Sequence, residues 1–441
     1  MNAALEKRIK RQVIGKPHRF LAVAPLGFEQ TLTDELNVIG IETIIDQPHV
    51  TGDGKVEFTA KITEAWKAVA YSRIANRILM HIDDFKAENF REFEKKASEI
   101  PWELYLGTDC ALHFHVTCKH SRLYHSDAIA ERLRKIIGEN DAPYSQNLYV
   151  TLIDDRCTIW LDLAGEELYK RGHERFVNDA PLKETIAAAM LFEAITTNIV
   201  TPDSVPGPAS STTIIDPMAG SGTFSLEAAY IANKIIPGTC RDFALKHQPA
   251  FKEATWKYIT KRENSNSVAL SQPNRVTLSS VEGSKNLEII TSDISERAIE
   301  IIKHNVECSP LAKIEPAPIT PQIRDFFSYS AKEIADASKE ASPIIVLNPP
   351  YGKRLDFDAP KLYTKIGRKL AELAHDLKQF NKNLTVAILA PKDDSREGAR
   401  YTCTTNLLRE CPALSPEQNP AAKQIVTSHG GFCLNVFIAK I

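Results

Sequence analysis

The chain has 441 residues, of which 43% are hydrophobic and 25% charged, and its formal net charge is −2. That mixture predicts an ordinary globular protein of about two to four domains, and the near-neutral charge excludes a uniformly basic nucleic-acid binder, leaving only local patches for such a role. No apolar run reaches the roughly 20 residues that cross a bilayer, so no membrane role is expected. The start, "MNAALEKRIKRQVIGKPHRF", lacks the apolar segment of a secretory signal; the cytoplasm is the expected compartment.

In chain order, residues 1–19 carry six Lys/Arg against one Glu and are expected to be a basic tail, either a phosphate-binding arm or a solubilising one. "FLAVA" then reads as a strand, residues 28–38 as a helix, and "IETII" and "KVEFTA" as short strands. Residues 62–165 continue with a helix ("ITEAWKAVAYSRIA"), a strand near "RILMHID", a helix ("FREFEKKASEI"), a strand ("CALHFHVTC"), a helix over 125–138, and two strands joined by a hairpin turn at Asp154-Asp155-Arg156. Mixed α and β order with hairpins predicts α+β units here. Residues 117–138 form a second basic patch, five Lys/Arg and two His against two acids. The eight cysteines contain no C-x-x-C pair, which predicts reduced thiols and neither a disulfide framework nor a metal centre. His113 and His115 alternate on one strand; metal chelation and a plain strand surface both fit, and the surface role is preferred.

From about residue 181 the pattern changes. "PLKETIAAAMLFEAITTNI" is a helix with Pro at its start, "TPDSVPGPASST" a loop, and "TIID", "LEIITSD", "IVLN" and "LTVAILA" are apolar strands each followed by a helix. This alternation predicts a doubly wound, mostly parallel sheet, interrupted by a polar excursion over 236–286. "TIIDPMAGSGTFSLEAA" is strand, glycine turn, helix: Gly220 and Gly222 permit close backbone approach, and the helix from Thr223 aims free N–H groups at the loop. A third glycine and a Walker lysine are both missing, which disfavours a phosphate cradle. Asp293 ends the second strand, where a carboxylate can accept both hydroxyls of a ribose, and Asp325 ends the third, where it can accept an exocyclic amine. The fourth strand ends in Asn348-Pro349-Pro350-Tyr351; two prolines cannot continue a ladder, so a stiff turn stands at the carboxyl end of a central strand.

With these residues in view, 181–441 resemble a class I S-adenosylmethionine-dependent methyltransferase, and Asn348-Pro349-Pro350-Tyr351 is similar to the motif of enzymes that methylate planar amino groups. "CKHSRLYHSDAIAERL", "LDLAGEELYKRGHERFVNDAPLKETIAAAML" and "PGTCRDFA" extend the resemblance to THUMP-containing RNA guanine-N2 methyltransferases, in particular to the amino-terminal half of the bacterial dual-function 23S ribosomal RNA enzymes. The resemblance implies a ferredoxin-like segment (20–62), a THUMP RNA-binding domain (63–168) and a Rossmann-like methyltransferase domain with a seven-stranded sheet (169–441), with no room for the family's second methyltransferase domain. It implies that Asp216, Gly220 and Gly222 line the methionine end of the cofactor, with Thr185 and Thr223 also contacting the cofactor, Asp293 the ribose, and Asp325 with Phe326 the adenine. Asn348 is placed at both cofactor and target; its side-chain oxygen and the Pro349 carbonyl accept the two hydrogens of an aryl amine, Pro350 stiffens the turn, and Tyr351 offers a stacking face. Lys119, Arg122 and Arg134 are expected at RNA phosphates. The implied reaction is methylation of a guanosine N2 in structured RNA, most readily 23S rRNA. Transfer RNA guanosine, adenine N6 in DNA, and a non-catalytic ribosome-assembly factor are the alternatives. In two places the chain departs from the family pattern: His173 stands where Tyr is commoner, and the last hairpin lacks an Asn-Gly turn.

Overall fold

A computed structural model describes residues 3–44, 47–108, 110–138, 142–177, 181–199, 212–261, 287–351, 358–393 and 402–441. The loop expected just after residue 200 and the part of the excursion over 262–286 lie outside the described residues, residue 212 apart. Contacts divide the chain into two compact units. No helix among the described residues is long and apolar enough to cross a membrane.

The first unit comprises the chain up to Ala24, Leu32–Gly172 and a segment from Gly238. Its strands are β1 (Pro17–Val23), β2 (His49–Gly52), β3 (Lys55–Lys61), β4 (Arg77–Lys86), β5 (Cys110–Lys119), β6 (Tyr144–Ile153) and β7 (Arg156–Asp162), in the order β2-β3-β1-β4-β7-β6-β5. Only β5 and β6 run parallel; every other neighbour is antiparallel. The sheet runs straight through the boundary expected at 62/63, because β1 pairs on one side with β3 and on the other with β4, Phe20 opposite both Phe58 and Met80. The β6–β7 hairpin turns on Asp154 and Asp155, both at positive φ (50° and 61°), as a two-residue loop with the twist of its strands requires. Among its described residues, "IETII" forms no strand but a bridge, Thr43 to Ala60.

Two expectations need correction in this unit. The basic segment 1–19 is no tail: a helix over Ala3–Ile9 continues as a π-helical turn to Ile14, and Ile9 and Val13, four residues apart on one face, are 2% and 1% exposed. The lysines and arginines occupy the remaining faces. Part of the 236–286 excursion also belongs here, since residues 238–261 pack on this unit. Trp66 meets Phe251 at 5.6 Å, Phe243 meets Trp256 at 5.5 Å, and the buried Gln146 side chain donates to the Ala244 carbonyl at 2.7 Å.

The second unit comprises Pro25–Thr31, His173–Pro237 and the described residues from Leu287 onward. Its strands are β8 (Thr212–Asp216), β9 (Leu287–Asp293), β10 (Gln322–Ile323), β11 (Pro343–Leu347), β12 (Thr385–Pro391), β13 (Lys423–His429) and β14 (Phe432–Lys440), ordered β10-β9-β8-β11-β12-β14-β13. The first five are parallel and β14 is antiparallel to both neighbours. Strands β8, β11 and β12 are buried at every residue, as expected of strands covered on both faces, and β11 carries no polar side chain at all. The chain steps outward from β8 to β10 and returns at β11 on the opposite side of β8. The order therefore reverses between β8 and β11, and in an open parallel sheet the crevice for a ligand lies there, outside the carboxyl ends. The helix expected to begin at Pro181 begins at Glu184, so this proline precedes it. The last hairpin turns on Gly430-Gly431 (φ 58° and 82°), which supplies the geometry that Asn-Gly would.

Candidate active site

At the end of β8 the chain must turn sharply into the helix Thr223–Ala232. Gly222 sits at φ 79°, and a Cβ there would stand 3.0 Å from the Ile302 side chain, so glycine is required twice over. Gly220, at φ 56°, is different: a Cβ would meet nothing within 4 Å, so bare backbone faces open space. The Gly220 N–H donates to Asp293 Oδ2 at 2.9 Å, and the Ser295 N–H donates to Oδ1 of the same carboxylate at 2.9 Å. One carboxylate thus pins the glycine loop to the end of β9 and retains lone pairs for further donors.

Asp216 lies beneath this loop, 1% exposed. Its Oδ2 accepts from the Ser225 N–H (3.2 Å) and hydroxyl (2.7 Å), and Thr291 donates to the Ser225 hydroxyl at 2.8 Å. Its Oδ1 is buried and has no hydrogen-bond partner among the described residues. Burial pushes the carboxyl up to about 7; the Ser225 donors oppose this and the nearby Asp293 charge adds to it.

β11 pairs with β8, Ile345 opposite Ile215, so Asn348 emerges at the same sheet edge as Asp216. The strand stops at Leu347, Pro349 is buried and Pro350 exposed. Asn348 Oδ1 is buried with no hydrogen-bond partner among the described residues. An amide oxygen left without a donor costs about 1–3 kcal/mol, a cost that a substrate amine arriving there would remove. The Tyr351 ring stands edge-on to Phe432 at 5.8 Å.

The other expected residues fall around this core. Thr185, in the first turn of the helix Glu184–Ile199, is fully buried, and Thr223 is 5% exposed. Asp325 Oδ1 accepts from the Phe327 N–H at 3.0 Å, capping a short turn, and the Phe326 ring is 2% exposed within the hydrophobic core, which leaves its backbone as what it can offer a ligand. Two apolar side chains missed by sequence reading, Ile294 (71% exposed) and Ile323 (60%), stand at the ends of the paired β9 and β10. Arg175 was missed as well: it donates to Ser221 Oγ at 3.2 Å, to the Thr223 hydroxyl and to Glu184. Asn305, fully buried, donates to the Ser221 carbonyl at 3.0 Å and exchanges hydrogen bonds with the Phe176 backbone. Its signal was visible, an amide on the apolar stripe of Ala298, Ile301 and Ile302. His173 packs edge-on to Tyr230 and accepts or donates through Nε2 at 3.2 Å.

In the first unit, Lys119 is exposed at the end of β5. Arg122 is exposed but already ion-paired with Glu88 and Asp155. The Arg134 guanidinium lies 5.3 Å from the Phe114 ring centre. A groove of about 480 Å³ sets Arg132 and Lys135 of the 117–138 basic patch beside Arg91 and Lys95, which sequence reading had not singled out, with Glu94 and Ile136 also in its lining.

Comparison with known proteins follows the same division. Residues 171–388 match the RMKL-like methyltransferase domain, and residues 19–79 match the RlmL ferredoxin-like domain. The chain is 30% identical over 374 residues to the ribosomal RNA large subunit methyltransferase K/L of Allochromatium vinosum, covering 80% of this chain and 46% of that protein. It is 28% identical to the Bacillus subtilis protein named "Putative RNA methyltransferase YpsC", covering 77% of this chain and 80% of that one. The chain thus spans about half the length of the K/L relatives it matches. Among solved structures, SMU.472 complexed with SAH superposes with a TM-score of 0.70 at 21% identity, over 96% of this chain and 98% of that one, and so shares its fold.

Proposed function

Because this chain belongs to the RMKL-like methyltransferases, we propose that it methylates the exocyclic N2 amine of a guanosine in structured RNA, with large-subunit ribosomal RNA as the substrate and S-adenosylmethionine as the donor. The observation that carries this reading is the buried Oδ1 of Asn348 at the carboxyl edge of β11, without a hydrogen-bond partner among the described residues.

The site fits the donor. The open backbone at Gly220, the carboxylate of Asp293 and the apolar faces of Ile294 and Ile323 suit an amino-acid end, a ribose and a flat base in turn. Bound there, S-adenosylmethionine supplies an electrophilic methyl group. The rest is done by the chain. An aryl amine is a weak nucleophile because its lone pair is delocalised into the ring. Asn348 Oδ1 accepts one amine hydrogen and the Pro349 carbonyl the other, which turns the nitrogen toward tetrahedral geometry and frees the lone pair. Buried Pro349 holds these acceptors at little entropic cost. Tyr351 gives the base a face to stack on, about 1–3 kcal/mol by analogy with other stacked bases. The methylated nitrogen sheds its proton readily, so no strong general base is needed.

RNA is held by the ferredoxin-like and THUMP regions, which share one sheet, with Lys119, Arg134 and the groove around Arg91 and Lys95 at phosphates. The test is methyl transfer from labelled S-adenosylmethionine to 23S rRNA, tRNA transcripts and duplex DNA, with nuclease digestion to identify the product. Label recovered as N2-methylguanosine from 23S rRNA supports the proposal. Label in tRNA alone changes the substrate, label in DNA adenine overturns the base, and no transfer to any leaves a non-catalytic RNA-binding factor.

A further inference from the structure

Three side chains outside the methyl-transfer crevice come together in the second unit: Glu174, His304 and Cys308, whose donor atoms all lie within 4.8 Å of one another. His304 and Cys308 are one helical turn apart at the end of the helix Glu296–Glu307, and Glu174 reaches them from a segment about 130 residues earlier. The distance between Cys308 Sγ and His304 Nε2 is 3.5 Å. A tetrahedral zinc ion with bonds of about 2.3 Å to sulfur and 2.0–2.1 Å to nitrogen sets these two atoms about 3.5–3.6 Å apart. Phe176 stacks on the His304 ring at 3.8 Å, 17° from parallel, which fixes the imidazole plane. Both His304 and Cys308 are half-buried and Glu174 is exposed, so an ion can enter without unfolding the site.

We infer that Glu174, His304 and Cys308 form a three-ligand site for a divalent transition metal, Zn²⁺ by the mixture of oxygen, nitrogen and sulfur donors. Binding converts the Cys308 thiol to a thiolate and releases its proton to solvent; His304 binds as the neutral imidazole, Glu174 as the carboxylate, and water completes the shell. The ion fastens residues 174–176 to the helix that carries Asn305. Arg175 in that segment and Asn305 on that helix both hold Ser221, so metal occupancy stiffens the glycine loop.

The test uses the full chain, stripped by a chelator and free of cofactor and RNA, so it stands apart from the methyltransferase reading. Titration with Co²⁺ is expected to give one equivalent of tetrahedral cobalt with a thiolate charge-transfer band, displaced by Zn²⁺. Cys308→Ser removes that band, whereas Cys433→Ser, at an exposed thiol elsewhere, leaves it. Glu174→Gln, an exposed position, lowers Zn²⁺ affinity by about tenfold or more, on the scale known for groups supporting a bound metal. Absence of the band, its survival in Cys308→Ser, or unchanged Zn²⁺ affinity in Glu174→Gln overturns the site.

Discussion

Glu35 in the first unit and Asp216 in the second are both buried, and burial pushes each carboxyl up to about 7. The two are built for different ends. Glu35 is saturated: Oε2 accepts from the Ser72 hydroxyl at 2.6 Å and the Ile74 N–H at 3.3 Å, and Oε1 from the Arg73 N–H at 2.8 Å. It stitches a helix to the turn that enters β4. Asp216 uses one oxygen on Ser225 and leaves the other without a partner among the described residues, at the sheet edge where Asn348 also carries a vacant acceptor. A displaced titration alone does not mark a functional site; unused acceptors converging on one edge do.

The largest expected effect lies on the structural side of this pair. Glu35→Ala leaves three buried donors without an acceptor, each worth about 1–3 kcal/mol, so the first unit is expected to lose several kcal/mol in denaturant unfolding. Asp216→Asn can keep its oxygen toward Ser225 and turn its amide toward the vacant side. Its stability cost is expected to be much smaller, with the main change being weaker S-adenosylmethionine binding in calorimetry. Equal destabilisation by the two substitutions would erase the distinction.

Next in size is the pH dependence. In the unfolded chain both carboxyls titrate near their usual value of about 4, while in the fold both hold a proton up to about 7. Between these limits the native state binds more protons, so stability falls as pH rises through the window and is greatest at its acid end, as far as these two groups are concerned. Unfolding curves measured at several pH values should show this slope, and Asp216→Asn should remove the part contributed by the second unit. A slope that steepens in the variant would contradict the assignment.

The smallest effects concern RNA. Lys119→Ala and Arg134→Ala are each expected to lower the salt dependence of RNA binding by about one counterion. Arg122→Ala should change it less, since Glu88 and Asp155 already hold that guanidinium. A larger change for Arg122 than for Lys119 would reverse this order.

Much of the second unit was legible in the chain because β8, β11 and β12 are buried on both faces and their apolar runs have no other reading. Gly220 and Gly222 in the turn after β8, Asp293 at the end of β9 and Asn348 after β11 could be placed by position, whereas Asp216 came from the resemblance. β10 shrank to two exposed residues, since nothing in Gln322–Ile323 demands burial. Arg175 escaped because it acts on a partner 46 residues away, where no local periodicity points; Asn305 stood on the apolar stripe of its helix, but the Ser221 carbonyl it holds lies 84 residues away. The amino-terminal helix was hidden by its charge, although Ile9 and Val13 have helical spacing. Phe243, Phe251 and Trp256 help pack residues 238–261 on the first unit, a role that reading 236–286 as a polar excursion passed over.

The central claim concerns the buried Asn348 oxygen that no described residue engages, and Asn348→Ala tests it most directly. Calorimetry with S-adenosylmethionine beside single-turnover methylation of 23S rRNA should show nearly unchanged cofactor affinity and a rate lower by ~100-fold or more, the scale for removing one oriented polar group. Parallel loss of affinity and rate, or a rate that stays at the wild-type level, would contradict the account.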